Sequence, residues 1–459
     1  MLSSSQLRLR TYQQQGIQFL KNRERAALFD QMGTGKTVQA LLASDAEGGR
    51  TLSRLIVCPN SAIPVWQDQL AMWLGQYSVL YAGTPAARAT TRSLMKMATI
   101  NVICPYSMLQ ELVAHKRQWD AIIFDEAHRM RNRKTKVFQA ARKLRSELLY
   151  VLTGTPVVNG VADLWPLLHL ISPKDFGSYW QFYQQYVETE TDQWGYDHAI
   201  GVKNEAKLKN VLEKYGLRRT KAEVLKELPL KQRQIIRVPM KRDQEILYEQ
   251  YAELFSSEWA LEWTRRPVNA LAATTRCRQI VVSPLLIDFE ATSAALDYLQ
   301  DVVEDDLLNG PVVIFTPFEQ AQKLIATRLP DNCQRYFLSG DMTLTQRAKA
   351  IKDFNEPSKQ PRAMICSLHL ASSFDLTAAA QAYFLGLWYN SAIHEQAEDR
   401  LHRYGQGKPV TVRYIVTANT IDETIMAIVD NKTTWASAVL DPRRLVYGYF
   451  DSESSDNVG

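Results

Sequence analysis

Five short apolar runs, each followed by a helix-patterned segment, constrain the first third of this chain more than any other feature. They lie at 26–29, 55–58, 102–104, 121–124 and 148–152. Each run is continuous rather than alternating. A strand covered on both faces needs apolar residues at every position, whereas a half-exposed strand alternates. Runs of this kind between helices build a parallel sheet wrapped by helices on both sides. A second α/β pattern follows late in the chain, with strands expected at 312–315, 336–338, 364–366, 383–387 and 410–416. The 459 residues exceed what one core supports, so two or three domains are expected.

The segment between the two patterns loses the β signal and reads as helical and aromatic. Leu247, Tyr251 and Leu254 share a helical face, and Trp180, Tyr183 and Tyr186 roughly share another. Such aromatics are expected to serve helix packing. The predicted division is a first lobe at 1–172, a helical insertion and inter-lobe region at 173–292, a second lobe at 293–440 and a polar, acidic tail at 441–459. No internal sequence repeat links the lobes.

Function in an open parallel sheet gathers at the carboxyl ends of the strands. The run 26–29 leads into Asp30-Gln31-Met32-Gly33-Thr34-Gly35-Lys36-Thr37 and then an amphipathic segment carrying Val38, Leu41 and Leu42. This strand, loop and helix order is the setting of a phosphate-binding loop. Gly33 and Gly35 allow the backbone to approach an anion, with Thr34 between them. The N–H groups opening the helix point at it, and the helix dipole favours negative charge there. Lys36 is expected to reach the terminal phosphates of ATP, and the Thr37 hydroxyl to hold Mg2+. The first position is Asp30 where the pattern has glycine.

Asp125-Glu126-Ala127-His128 follows the run 121–124. Two adjacent carboxylates at a strand end suit a metal and general-base site, with Asp125 on magnesium and Glu126 on the attacking water. Thr153-Gly154-Thr155-Pro156 follows the run 148–152, and its hydroxyls are candidates for coupling the nucleotide site to nucleic acid. Near the end comes Gln396-Ala397-Glu398-Asp399-Arg400-Leu401-His402-Arg403-Tyr404-Gly405-Gln406. On a helix, Arg400 and Arg403 project from one face. Permanently charged, planar guanidinium groups suit a γ-phosphate.

Charge and cysteine usage narrow the class. The net charge of +5 permits nucleic-acid binding without requiring it. The basic clusters 129–136, 218–221 and 231–242 read by default as solvated surface. Five separate cysteines, none in a CxxC pair, argue against zinc and against a disulfide framework. The lack of a long apolar stretch or a secretory pattern predicts a soluble, intracellular protein, cytoplasmic or, in a eukaryote, nuclear.

These motifs occur in the order of superfamily-two helicases, and the chain resembles the SWI/SNF-type ATPases among them. Leu9-Arg10-Thr11-Tyr12-Gln13 with Gly16 resembles the opening adenine-recognition motif. Leu55-Ile56-Val57-Cys58-Pro59 with Trp66, Cys104-Pro105-Tyr106-Ser107 and Val313-Ile314-Phe315-Thr316 resemble motifs Ia, Ib and IV. Leu217-Arg218-Arg219-Thr220-Lys221 with Leu228-Pro229 resembles the segment closing the first lobe. The resemblance runs from about Leu9 to Thr424.

The resemblance implies two RecA-like lobes with ATP in the cleft between them, Gln13 reading the base and Asp375 and Gln396 on the nucleotide. It implies sequence-nonspecific movement on duplex DNA, gripped by its backbone, with Ser61, Ser107, Thr316 and Ser339 as contacts. One departure concerns motif V, glycine-rich in that family. Here Ser367-Leu368-His369-Leu370-Ala371-Ser372-Ser373-Phe374-Asp375 has no glycine, and Asp375 stands in for an asparagine. The Gln-Ala-Glu-Asp-Arg form of the last motif is also seen in the fork-remodelling, annealing branch. A strand-separating or fork-remodelling DNA or RNA helicase, or a binding protein with a decayed ATPase core, stays open on sequence alone.

Overall fold

The structure, a computed structural model, describes residues 9–45, 52–157, 160–191, 197–262, 267–370 and 374–430. The chain divides into two units, 1–226 and 227–459.

The first unit contains β1 (Arg25–Leu28), β2 (Arg54–Cys58), β3 (Ser78–Leu80), β4 (Asn101–Pro105), β5 (Gln118–Asp125), β6 (Arg145–Leu152), the hairpin β7 (Val187–Thr191) and β8 (Asp197–Val202), and β9 (Gly216–Leu217). Seven of these form one parallel sheet in the order β3-β4-β2-β5-β6-β1-β9. The five expected strands are its centre. Alternate residues feed two cores: Leu55, Val57, Ile122 and Phe124 face one side with Trp165 and Leu167, while Ile56, Cys58 and Ile123 face the other with Trp66 and Leu70. This two-sided burial is what wrote the continuous apolar runs. Each such side chain contributes roughly 1.5–3 kcal/mol when fully buried.

The second unit contains β10 (Lys231–Val238), β11 (Val312–Thr316), β12 (Gln334–Leu338), β13 (Arg362–Ser367), β14 (Gln381–Leu385) and β15 (Val410–Thr417). They form a parallel sheet in the order β10-β15-β14-β11-β13-β12. Helices Arg242–Glu262, Pro267–Val282 and Ala294–Asn309 belong to this unit. Both units are therefore parallel sheets flanked by helices, the α/β architecture expected of two RecA-like lobes.

The segment expected to be a helical insertion, 173–292, is shared out at the unit boundary, and its described residues include four strands, β7 to β10, that its aromatic and polar pattern does not predict. The short β9 extends the first sheet beside β1. Strand β10 pairs with β15 along its whole length. It escaped notice because Lys231, Gln232, Arg233 and Gln234 make it polar; as an edge strand it needs backbone partners more than two covered faces. Leu254 and the tail 431–459 lie outside the residues whose side chains or backbone are described. Among the described residues no helix is long and apolar enough to cross a membrane, and all five cysteines are buried and free.

Candidate functional site

The phosphate loop leaves β1 and opens the helix Lys36–Ala43. Gly33 and Gly35 have φ of 77° and 76°, in the left-handed region that glycine enters without a Cβ clash. A Cβ on Gly35 would also stand 2.5 Å from Gln13 Nε2. That absence of side chain lets the Gln13 segment lie against the loop. Tyr12 Oη, Gln13 Nε2 and Gln39 Nε2 all donate to the Thr34 carbonyl, at 3.0, 3.4 and 3.3 Å. Lys36 Nζ folds over the loop, donating to the carbonyls of Asp30 at 2.7 Å and Gln31 at 3.2 Å. A phosphate would compete directly for this ammonium. Thr37, the second residue of the helix, is half-buried.

The structure explains the aspartate at the first loop position. Asp30 is fully buried and ion-paired with Arg219, whose Nε lies 3.1 Å from Asp30 Oδ1. Arg219 also donates to Tyr12 O at 2.5 Å and Gln39 Oε1 at 3.0 Å. A Cβ on Gly16 would sit 1.8 Å from that Gln39 oxygen, so Gly16 keeps the space in which the glutamine meets Arg219. Backbone bonds from Phe29 N to Leu217 O (2.7 Å) and Gln31 N to Arg219 O (2.9 Å) zip the same segment onto the loop. The segment read as closing the first lobe thus acts as a clamp on the phosphate loop.

Asp125 ends β5, and Glu126 adopts a left-handed φ of 50°, a costly backbone for a non-glycine residue. Trp66 Nε1 donates to Asp125 Oδ2 at 2.8 Å, the Glu126 N–H to Asp125 Oδ1 at 3.0 Å, and Tyr106 Oη to the Asp125 carbonyl at 2.8 Å. The segments resembling motifs Ia and Ib supply these two aromatic donors. Burial, and then the neighbouring Glu126 charge, push the Asp125 carboxyl up to about 6, against the Trp66 hydrogen bond and the Lys36 charge. His128 Nδ1 lies 3.4 Å from Glu126 Oε2, 3.2 Å from Thr153 Oγ1 and 3.5 Å from Thr155 Oγ1. The histidine therefore joins the candidate base to both threonines. A Cβ on Gly154 would stand 2.7 Å from Met32, so this turn packs directly on the phosphate loop. Strands β5, β6 and β1 are neighbours, and their carboxyl ends bring all three motifs together. Ser61 and Ser107 follow β2 and β4 at the same end of the sheet.

In the second unit the last motif departs from expectation. The helix Ser391–Glu398 ends before both arginines, which lie in successive turns up to Gly405, where φ is 97°. Bonds from Arg400 N to Ala397 O and Leu401 N to Glu398 O tighten the chain to a three-residue spacing. The arginines lie beyond the regular helix, and they differ in burial and in partners. Arg400 is buried and donates to Gln396 O at 3.0 Å and Phe374 O at 3.1 Å. Arg403 is partly exposed and pairs with the half-exposed Asp375. Thr316 is also corrected: it is fully buried, and its hydroxyl accepts the Phe318 N–H at 3.4 Å, so it braces a turn instead of facing an external ligand. Ser339 donates to Asp341. Residues 371–373 of the motif V stretch lie outside the described residues.

Residues 12–287 match the profile of the SNF2-related domain. The chain belongs to this family. Residues 294–405 match the helicase conserved C-terminal domain. Among curated relatives, an uncharacterized ATP-dependent helicase of Mycoplasma pneumoniae is 28% identical over 448 residues, spanning 94% of this chain and 42% of that protein. The putative ATP-dependent helicase/translocase YwqA of Bacillus subtilis is 28% identical over 455 residues, spanning 93% and 48%. The chain thus spans less than half the length of these relatives. The solved SWI2/SNF2 ATPase core of Sulfolobus solfataricus in complex with dsDNA is 24% identical, covering 93% of this chain and 91% of its own, with a TM-score of 0.45.

Two features of this SNF2-related chain were assigned no role from sequence. Arg219 falls in a basic run that reads as surface and in the segment resembling the close of the first lobe, and neither reading gives it a partner. Glu398 lies within the last motif yet is fully buried, accepting from Lys231 Nζ at 2.7 Å, Arg233 Nε at 2.6 Å and Tyr414 Oη at 2.8 Å. Burial opposes its charge, but Lys231 and Arg233 outweigh that and hold the carboxyl below its ordinary range. The sequence signal was a carboxylate set opposite a basic edge strand, which only the β10–β15 pairing reveals.

Proposed function

We propose that this chain is an ATP-driven translocase on double-stranded DNA, with the two α/β units as its motor lobes. The observation that carries the reading is the meeting of the phosphate loop, Asp125-Glu126 and Thr153/Thr155 at the carboxyl ends of three adjacent strands. Gly33, Thr34, Gly35 and Lys36 cradle the ATP phosphates, and Gln13 reads the base. Glu126 accepts the proton of the attacking water, which its strained backbone and the His128 contact aim. Gln396, Asp375, Arg400 and Arg403 are the second unit's candidates for nucleotide contacts, with Arg403 the candidate for the γ-phosphate and Arg400 fixing the turn that carries it.

The Thr37 hydroxyl and the Asp125 carboxylate suit magnesium, which prefers oxygen donors and keeps several waters and substrate phosphates around it. Asp125 keeps acceptor capacity, since each of its oxygens takes one described hydrogen bond and a carboxylate offers about four lone-pair sites. When bound, the metal neutralises charge on the phosphates. Ser61, Ser107 and Ser339 are proposed to touch the DNA backbone, and His128, Thr153 and Thr155 to couple DNA contact to hydrolysis. The name helicase/translocase of the Bacillus relative supports the reading. The reading implies action at the chromosome, in the cytoplasm of a bacterium or the nucleus of a eukaryote.

The test is ATP hydrolysis with duplex, single-stranded and forked DNA and with RNA, run side by side. Duplex DNA is expected to stimulate turnover several-fold, and rising salt to remove the effect through counterion association with the phosphates. Equal turnover with and without every nucleic acid would refute it.

A further inference from the structure

The aromatic helix after the first lobe's last central strand does not serve packing alone. In Tyr179–Tyr186, Phe182 and Tyr186 face the core, but Trp180 is 60% exposed. Its ring is nevertheless held. Tyr179 and Tyr183 meet it edge-on, with centroids 5.2 and 6.0 Å away. Tyr179 is in turn anchored edge-on against the buried Trp165 at 5.5 Å. The Arg133 guanidinium lies 4.2 Å from the Tyr179 centroid and 5.5 Å from that of Trp180.

Arg133 belongs to the stretch Arg129-Met130-Arg131-Asn132-Arg133-Lys134-Thr135-Lys136, which contains no acidic residue. This loop is fixed rather than trailing. Lys134 N donates to Asn132 Oδ1 at 2.9 Å, Thr135 Oγ1 to Asn132 O at 2.8 Å, and Gln139 Nε2 to Arg133 O at 2.7 Å. It leaves the carboxyl end of β5 just past the candidate base. A pre-positioned tryptophan beside Arg133, itself part of a run of cations, fits a base stacked on the ring with a phosphate on the guanidinium. A base inside a duplex shows no free face, so only an unpaired one can use the platform.

We propose that Trp180, Tyr179 and Arg133 form a stacking site for an unpaired nucleotide of a tailed or forked DNA. The site deepens the nucleic-acid reading above and rests on it. It assigns the motor a preference for junctions between paired and unpaired strands, while the motor itself tracks the duplex.

The experiment compares the full chain on a blunt duplex and on the same duplex with a single-stranded tail containing 2-aminopurine. Affinity is read by anisotropy and stacking by quenching of the analogue. The wild type is expected to bind the tailed DNA more tightly and quench the analogue. Trp180→Ala should lose about tenfold in affinity for the tailed DNA, together with the quenching, and bind blunt DNA as the wild type does. Trp180→Phe should retain most of both, and Arg133→Gln should weaken tailed binding. Equal wild-type affinity for the two DNAs, equal loss on both in Trp180→Ala, or quenching that survives that substitution overturns the platform. A wild type that binds neither DNA overturns the translocase reading itself, and the platform with it.

Discussion

Arg219 Nε donates to Asp30 Oδ1 at 3.1 Å although the residues are 189 positions apart in sequence. The pair holds the first residue of the phosphate loop against the segment that follows β9. Arg219→Ala would leave a fully buried carboxylate without this partner, and such a loss costs about 3–5 kcal/mol. The expected outcome is a lower urea midpoint for the first unit and weaker nucleotide binding, only partly restored by Arg219→Lys. An unchanged midpoint would show that the clamp carries no load.

Glu126 is the proposed base, held by a left-handed backbone at the end of β5 and by its contact with His128. Glu126→Gln keeps the shape and removes the base. Hydrolysis should fall by roughly 10²–10⁴, the usual worth of general-base catalysis, while binding of a fluorescent ATP analogue persists. Phosphate release checks the first and equilibrium titration the second. Hydrolysis at the wild-type rate would remove Glu126 from its role.

The two arginines of the last motif should separate in behaviour. Arg403 is partly exposed with Asp375 as its partner, so Arg403→Ala is expected to lower turnover about a thousandfold with little change in nucleotide affinity or thermal midpoint. Arg400 is buried against two carbonyls, and leaving those unsatisfied costs about 1–3 kcal/mol each. Arg400→Ala should therefore lower the melting temperature as well as turnover. Identical melting curves for the two variants would contradict this difference.

Asp422 gives the second unit a pH dependence. Burial pushes its carboxyl from 3.8 up to about 7, against the Thr417 N–H at 3.2 Å and the charge of Arg278. A raised carboxyl means that the folded state keeps a proton which the unfolded chain releases. Its contribution is full below about pH 4, falls as the pH rises towards about 7, and changes little beyond. The loss is on the order of 2–4 kcal/mol. Asp422→Asn should flatten this slope and stabilise the protein at pH 8 relative to the wild type, as read from urea midpoints at pH 5 and pH 8. Parallel slopes in both proteins would falsify the assignment.

The central strands were legible because two covered faces demand an apolar residue at every position. Strands β7, β8, β9 and β10 were not, because edge and hairpin strands are held by backbone bonds that place few demands on side chains. The phosphate loop, Asp125-Glu126 and the two threonines were legible because each motif sits directly after a central strand. The positioning groups were less so. Trp66 and Tyr106 were noticed as motif members, yet their bonds to Asp125 depend on how β2, β4 and β5 are ordered. The separate postures of Arg400 and Arg403 depend on a helix that stops at Glu398, and the burial of Thr316 on packing beyond its own strand. Trp180 looked like core because its helix is aromatic on both sides.

The clamp around Arg219 has a counterpart just downstream. Pro229 O lies 2.8 Å from His402 Nε2, and Lys231 and Arg233 hold Glu398. Within the second unit, the turn bearing Arg403 is therefore moored to the segment that leads into β10 and to the first residues of that edge strand. A displacement of that edge of the sheet would carry the guanidinium of Arg403 with it, and a substitution at Pro229 or Lys231 would be felt at the arginine although neither residue belongs to its motif.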